Sequence, residues 1–267
     1  MRLLLGELAP VAGDPTANVR RLERVLGSSP SDLAVFPELF LSGYRIGDKF
    51  HRLALREGDP VWEALKGAAA KHGTSVAVGA PVGSRERPGE VENSVILVRP
   101  DRSGAIQTKR YLPTYGPFEE GSVFTPTDSS APVPVDGASV GFQICYDAFF
   151  PEVSRSLALA GAVLLVVISA SPVTSRRLFE KVLPARAVEN AIPLVYVNRV
   201  GVEDGVVFGG GSVAFDARGE TIPVTWVPAD GGTREERVGV VEIDLTEAPR
   251  WRPFRPVLRD LASRPAG

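Results

Sequence analysis

The chain has one cysteine, one methionine and two histidines in 267 residues, and only five of its 30 basic residues are lysine. A single cysteine excludes an internal disulfide and fits a reducing compartment. So few cysteines and histidines, none at short spacing, exclude a zinc site of the usual ligand count, and no metal is expected. Neither sign of charge dominates: Lys+Arg 30 against Asp+Glu 32 gives a net charge of −2, with no basic stripe for nucleic acid. Long apolar runs are missing too. The longest, "LALAGAVLLVVISA" (157–170), falls short of a membrane span and contains Gly161. The N-terminal "MRLLLGELAP" is too short for a signal peptide, and Glu7 interrupts it. These absences predict a soluble, cytoplasmic protein with neither nucleic-acid nor membrane partners.

What is present is an ordinary globular composition, 44% hydrophobic and 23% charged, long enough to bury a large core. Strand-like and helix-like segments alternate. "RLLLGEL" predicts a first strand, and Asp14-Pro15 a helix N-terminus with proline in its first turn. "DLAVFPE" (32–38) predicts a short buried strand, and residues 60–72 a helix leading into a strand that ends at Pro81. The continuous apolar run "GAVLLVVIS" argues for parallel pairing covered on both faces. In "SRRLFEKVLPARAVENA", Pro184 is expected to kink the helix or break it in two. After "IPLVYVNRVG" the pattern turns to hairpins, "VVFGGGSVAFDARGETIPV" and "RVGVVEIDL". We expect one α/β domain over 1–267 with a mixed sheet. The Pro- and Arg-rich segment from about 246 to 267 is read as a C-terminal extension packed on a neighbour or another subunit.

Three stretches leave apolar strands with chemistry-bearing side chains: Glu38 in "VFPELFLSGY", Lys109 in "QTKRYLPTYGPFEE" and Cys145 in "SVGFQICYDAFFPE". In open α/β sheets the carboxyl ends of strands are where ligands bind. A lone buried cysteine is ordinarily inert core. His72 falls near a helix end and His51 in a polar loop-like region, so a Cys-His dyad is not expected. The base left for Cys145 is a carboxylate, and the cation is lysine or arginine. The "FGGGS" run (208–212) reads as a turn rather than a phosphate cradle.

These three motifs, in this order, resemble the nitrilase superfamily of carbon-nitrogen hydrolases, and "PARAVENAIPLVYVNRVG" and "FGGGSVAFDARGE" extend the resemblance over nearly the whole chain. The resemblance implies a four-layer α-β-β-α sandwich and a Glu-Lys-Cys triad of Glu38, Lys109 and Cys145. Glu38 would serve as general base and then acid, with Lys109 favouring the thiolate and holding the oxyanion. The Tyr146 N–H would be a second oxyanion donor. A further catalytic glutamate in the loop after the lysine would be Glu120, with Glu119 the alternative. Tyr44, Tyr111, Phe149 and Ser171 are candidates for the pocket wall, although aromatic residues near strand ends are more often plain core. Asp147 and Glu152 are given structural roles, Glu152 pairing with a helix dipole or with Arg155 or Arg186, and Asn198 a turn or substrate contact.

The implied activity is hydrolysis of a small carboxamide or N-carbamoyl compound to acid and ammonia through an acyl-thioester, with no cofactor and a homodimer or higher homo-oligomer. Alternatives are a glutaminase subunit feeding a separate synthetase, a nitrilase, or a non-enzymatic interaction protein. The stretch "YVNRVGVEDGVVFGGGS" is similar to the glutaminase domain of glutamine-dependent NAD synthetases. Their Ser-Gly-Gly-x-Asp-Ser loop is not found in these residues.

Overall fold

Leu3, Leu4 and Leu5 are all fully buried, but on two faces of one strand. Leu3 and Leu5 join a core that holds Phe142, Val166 and Val197, whereas Leu4 joins one that holds Val19, Leu22 and Leu65. Side chains alternate along a strand, so this strand has a sheet on one side and helices on the other. The computed structural model describes residues 1–263 apart from positions 117 and 129.

The first half of the chain runs β1 (Arg2–Glu7), α1 (Pro15–Leu26), β2 (Leu33–Val35), α2 (Phe50–Leu53), α3 (Pro60–His72), β3 (Ser75–Gly83), β4 (Val91–Val98) and β5 (Gly104–Thr108). The next elements are β6 (Val133–Val135), β7 (Ala138–Ile144), α4 (Pro151–Leu159), β8 (Leu164–Ser169), α5 (Arg176–Asn190) and β9 (Leu194–Asn198). The chain then forms β10 (Val200–Glu203), β11 (Val206–Gly209), β12 (Val213–Phe215), β13 (Thr221–Ile222), β14 (Thr225–Pro228), β15 (Arg237–Glu242), α6 (Glu247–Trp251) and α7 (Val257–Ala262).

Two mixed sheets result, with strand orders β14-β15-β1-β2-β3-β4-β5 and β13-β12-β9-β8-β7-β6; β10 and β11 form a separate ribbon. β1, β2 and β3 are parallel, as are β7, β8 and β9. The inner faces of the two sheets pack together, α1 and α3 cover the first, and α4 and α5 the second. This is the expected α-β-β-α sandwich. α1 starts as the sequence predicts: the Asp14 carboxylate accepts the Ala17 N–H at 2.9 Å, and Pro15 sits in the first turn.

Two local expectations are revised, and one strand is new. Of the kink or break expected at Pro184, the break does not occur: α5 runs from Arg176 to Asn190, with Phe179 and Leu183 before the proline and Ala187 and Asn190 after it all buried. That burial outweighs one missing N–H. β3 continues past Pro81 to Gly83. β2 pairs only with Ser75–Ala77, so β3 lacks that neighbour at Pro81, where a proline is tolerated. β14 was not anticipated; the Trp226 ring lies over Gly239 of β15, where a Cβ would come within 2.8 Å of it.

The described part of the tail, to Ser263, contacts its own chain, and 264–267 lie outside the described residues. Arg252 donates to the Ala162 carbonyl at 2.7 Å, and Arg255 donates to the carbonyls of Val188 and Ala217. Among the described residues, no helix is long and apolar enough to cross a membrane.

Candidate active site

β2 delivers Glu38, β5 delivers Lys109 and β7 delivers Cys145 to one edge of the sandwich. Glu38 stands on a tight turn in which the next residue, Leu39, has φ +50°. β3 presses directly on that turn: the Gly79 N–H donates to the Pro37 carbonyl at 3.1 Å, and Leu41 N–H donates to the Gly79 carbonyl at 3.1 Å. A Cβ on Gly79 would lie 2.4 Å from the Leu39 nitrogen and 2.5 Å from the Glu38 Cα, both backbone atoms that cannot step aside. Gly79→Ala is therefore expected to displace Glu38, lowering kcat about 100-fold and stability by about 1–3 kcal/mol. Steady-state kinetics and thermal melts check both, and normal turnover in this variant would show that β3 does not set the turn.

Cys145 opens a 3-10 turn between β7 and α4 with φ +48°, in the left-handed region. Asp147 braces this turn against the lysine strand. Its carboxylate accepts the N–H groups of Arg110 (3.1 Å) and Tyr111 (2.9 Å) through one oxygen and that of Ile144 (3.1 Å) through the other. Burial pushes the Asp147 carboxyl up to about 6 despite these donors and the Lys109 charge. The structural role expected of Asp147 is thus specific: it ties the end of β5 to the end of β7.

Lys109 is completely buried, and its ammonium donates to Glu38 Oε1 and Glu120 Oε1, each at 2.7 Å. Glu120, not the exposed Glu119, is the loop carboxylate that reaches it. Glu38 is fully buried as well; its Oε1 also accepts from Asn93 Nδ2 at 2.8 Å and its Oε2 from the Ala170 N–H at 2.8 Å. Tyr44 donates its hydroxyl to Glu120 Oε1 at 2.5 Å. Burial opposes the Lys109 charge, but the two carboxylates override it and hold the ammonium well above its ordinary value. Burial raises Glu120 to about 7, against the pull of Lys109. Burial also raises the Cys145 thiol far above its usual range; negative Glu38 adds to this and Lys109 offsets only part. Lys109 thus does not make Cys145 a standing thiolate. Burial and Glu38 favour the thiol form, and Lys109 pulls toward the thiolate.

Around this cluster the Tyr146 ring meets Tyr115 (5.4 Å), Phe149 (5.9 Å) and Phe150 (5.0 Å), while Tyr111 stacks on Phe150 at 3.6 Å. Ser171 is 2% exposed; its N–H donates to Asn198 Oδ1 at 2.9 Å and its hydroxyl has no partner among the described residues. With Tyr196 and Phe179 it lines a cavity of about 390 Å³ under α5. Asn198 pins turns, since its Nδ2 donates to the carbonyls of Ser171 (3.0 Å) and Gly210 (2.9 Å). Glu152 is exposed at the start of α4, and Arg186 turns away from it to the carbonyls of Ala148 and Phe149 and to Glu189. The glycine run is not a tight turn: Phe208 and Gly209 close β11, and 210–212 link it to β12, with the Ser212 N–H donating to Glu7 at 2.8 Å. Sequence reasoning missed Asn93 and Ala170. No motif marks Ala170, which contributes only its backbone, whereas "ENSVILV" does put an asparagine in a strand pattern that predicts an apolar or solvent-facing residue.

The family model described as carbon-nitrogen hydrolase matches residues 5–253. The chain belongs to the carbon-nitrogen hydrolase family. Among particular relatives, it is 33% identical to an (R)-stereoselective amidase of Pseudomonas sp. over 263 residues, covering 97% of this chain and 91% of the amidase. It is 34% identical to the glutamine-dependent NAD(+) synthetase of Thermotoga maritima, covering 92% of this chain but only 42% of the synthetase. An amidase from Nesterenkonia sp. AN1, solved with acrylamide added at its active-site cysteine, superposes with a TM-score of 0.78 at 27% identity, covering 98% of this chain and 99% of that one. A CN-hydrolase superfamily protein from Xanthomonas campestris shares the fold at a TM-score of 0.85, 23% identity, and 100% and 99% coverage.

Proposed function

We propose that the protein hydrolyses a small carboxamide to acid and ammonia, with Cys145 as nucleophile and Glu38 as proton carrier. The observation that carries this reading is the buried ammonium of Lys109, held at 2.7 Å from both Glu38 and Glu120. An ammonium has three protons, and two go to Glu38 and Glu120. The third is available for an oxyanion, which neither carboxylate could stabilise.

Glu38 takes the thiol proton as sulfur attacks the amide carbon. The resulting oxyanion is held by Lys109 and by the Tyr146 N–H, which follows the nucleophile in the turn. Glu38 then returns the proton to the departing nitrogen, the C–N bond breaks, and ammonia leaves an acyl-thioester on Cys145. Water, deprotonated by Glu38, attacks the thioester; the acid is released and the thiol regains its proton. Glu120 keeps the Lys109 ammonium charged and fixed throughout. Tyr146, Phe149 and Tyr115 supply an aromatic wall for the acyl group. The (R)-stereoselective amidase, similar along almost its whole length, supports an amide as the substrate class.

A glutaminase role in which ammonia passes to a separate synthetase is the second reading, favoured by the match to less than half of the NAD(+) synthetase. An ammonia-release screen over primary amides, glutamine, N-carbamoyl amino acids and nitriles separates them, with mass spectrometry to find the acyl group on Cys145. Amides are expected to react without any second protein. Turnover of glutamine alone would favour the second reading, and no ammonia from any of them would defeat both.

A further inference from the structure

Behind Tyr44 lies a second buried ion pair that the chemistry above does not use. Arg199, 2% exposed, donates through Nη1 to Glu203, which is 9% exposed. Both partners also hold Tyr44. Glu203 Oε1 accepts the N–H groups of Tyr44 at 3.0 Å and Arg45 at 2.8 Å, and Oε2 accepts Tyr44 N–H at 3.2 Å. The Arg199 guanidinium lies 4.1 Å over the Phe208 ring, and Phe208 packs edge-on against the Tyr44 ring, with centroids 6.3 Å apart. Even the approach is tight: Gly43 has φ +87°, and a Cβ there would lie 2.8 Å from Glu203 Oε1.

We propose that Glu203, locked by Arg199, is a positioning residue that holds the Tyr44 hydroxyl on Glu120 and so sets the proton affinity of the carboxylate that fixes Lys109. A bare backbone loop would not need two buried charges, which are costly to desolvate unless paired and hydrogen-bonded. Among the described residues, Glu203 accepts from its cation Arg199 and from the N–H groups of Tyr44 and Arg45, the segment that carries the Tyr44 ring. The consequence follows from the local charges. Glu120 faces Lys109, Glu38 and Tyr44, with Cys145 and Tyr115 in electrostatic range. Glu203 faces Arg199 and the Arg45 backbone, while the Arg45 guanidinium goes to Asp204 at 2.8 Å. A hydroxyl that donates to a carboxylate favours its ionised form, so releasing Tyr44 raises the Glu120 midpoint above about 7.

The consequence for turnover rests on the hydrolytic reading, but the test does not. In protein labelled with ¹³C at glutamate carboxyls, the Glu120 resonance is the one lost in Glu120→Gln, and its midpoint is read directly. Tyr44→Phe and Glu203→Gln are each expected to move that midpoint up by about one unit, the worth of one hydrogen bond. In Tyr44→Phe the Glu203 substitution should add nothing further, because it acts through the hydroxyl. Glu203→Asp, which keeps the charge for Arg199 but shortens the reach by one methylene, gives the same upward shift if Glu203→Gln does not fold. A wild-type midpoint in either Glu203 variant, or equal shifts with and without the Tyr44 hydroxyl, overturns the proposal. Neither outcome depends on which amide, if any, is turned over. Where an amide substrate is in hand, kcat falls about tenfold in the Glu203 variants.

Discussion

Cys145→Ala is expected to abolish ammonia release, with kcat reduced by about 10⁵-fold or more, and to leave the protein folded. The size follows from covalent catalysis: without sulfur no thioester can form, and water in the same pocket recovers only what binding and the oxyanion donors provide. Stability is little changed for a separate reason. Cysteine and alanine both carry a Cβ, so the backbone strain at φ +48° is common to both, and the buried thiol leaves only a small void. Tm should move by no more than about 4 °C. The same variant offers a clean control, since it contains no thiol and takes up no alkylating agent. Turnover retained with the thiol gone would remove Cys145 from the mechanism.

Glu38→Gln is expected to separate two roles that a single loss of activity would blur. Amide turnover falls about 10³–10⁴-fold, because no group remains to carry the proton from sulfur to the leaving nitrogen. The thiol itself, however, becomes more acidic. After burial, the negative charge of Glu38 is the largest influence raising the Cys145 proton affinity, and Lys109 is the largest opposing it. Neutralising Glu38 leaves Lys109 and Glu120 beside the sulfur, and the balance tips toward thiolate. The pH midpoint for alkylation of Cys145 by iodoacetamide should therefore shift down while hydrolysis is lost. A midpoint that stays or rises would mean that Glu38 does not sense the thiol, and its assignment as base would fall with it. The amide keeps the carbonyl for Lys109 and Asn93 but sets an N–H₂ against the Ala170 N–H, so some loss of stability is expected and is read separately by thermal melt.

Why some of this was legible in the chain and some was not is clear from individual residues. Glu38, Lys109 and Cys145 each close a recognisable strand, and strand ends are marked locally by apolar runs that stop at polar residues. α1 was readable to its cap because Asp14 and Pro15 act within one turn. The long apolar run of β8 signalled parallel pairing, and it lies between β7 and β9 as such a strand should. Elsewhere distant residues overrode local signals. Pro184 reads as a helix breaker, but the sheet beneath α5 holds both halves in one helix. "TWVP" reads as loop until Gly239 makes room for the Trp226 ring.

By itself, then, the sequence determined the order of elements and the residues with reactive groups. It left Glu119 and Glu120 as alternatives, because both are polar residues of one loop and nothing within the loop tells which turns inward. Only the tertiary structure decided that Glu120 is buried on Lys109, that Asn93 bridges the carboxylates, and that Arg199 and Glu203 stand behind Tyr44. The charge state of Cys145 is likewise a property of the fold. Burial and the mutual distances of Glu38, Lys109 and the thiol set it, and each depends on two sheets closing face to face, which no local stretch of sequence encodes.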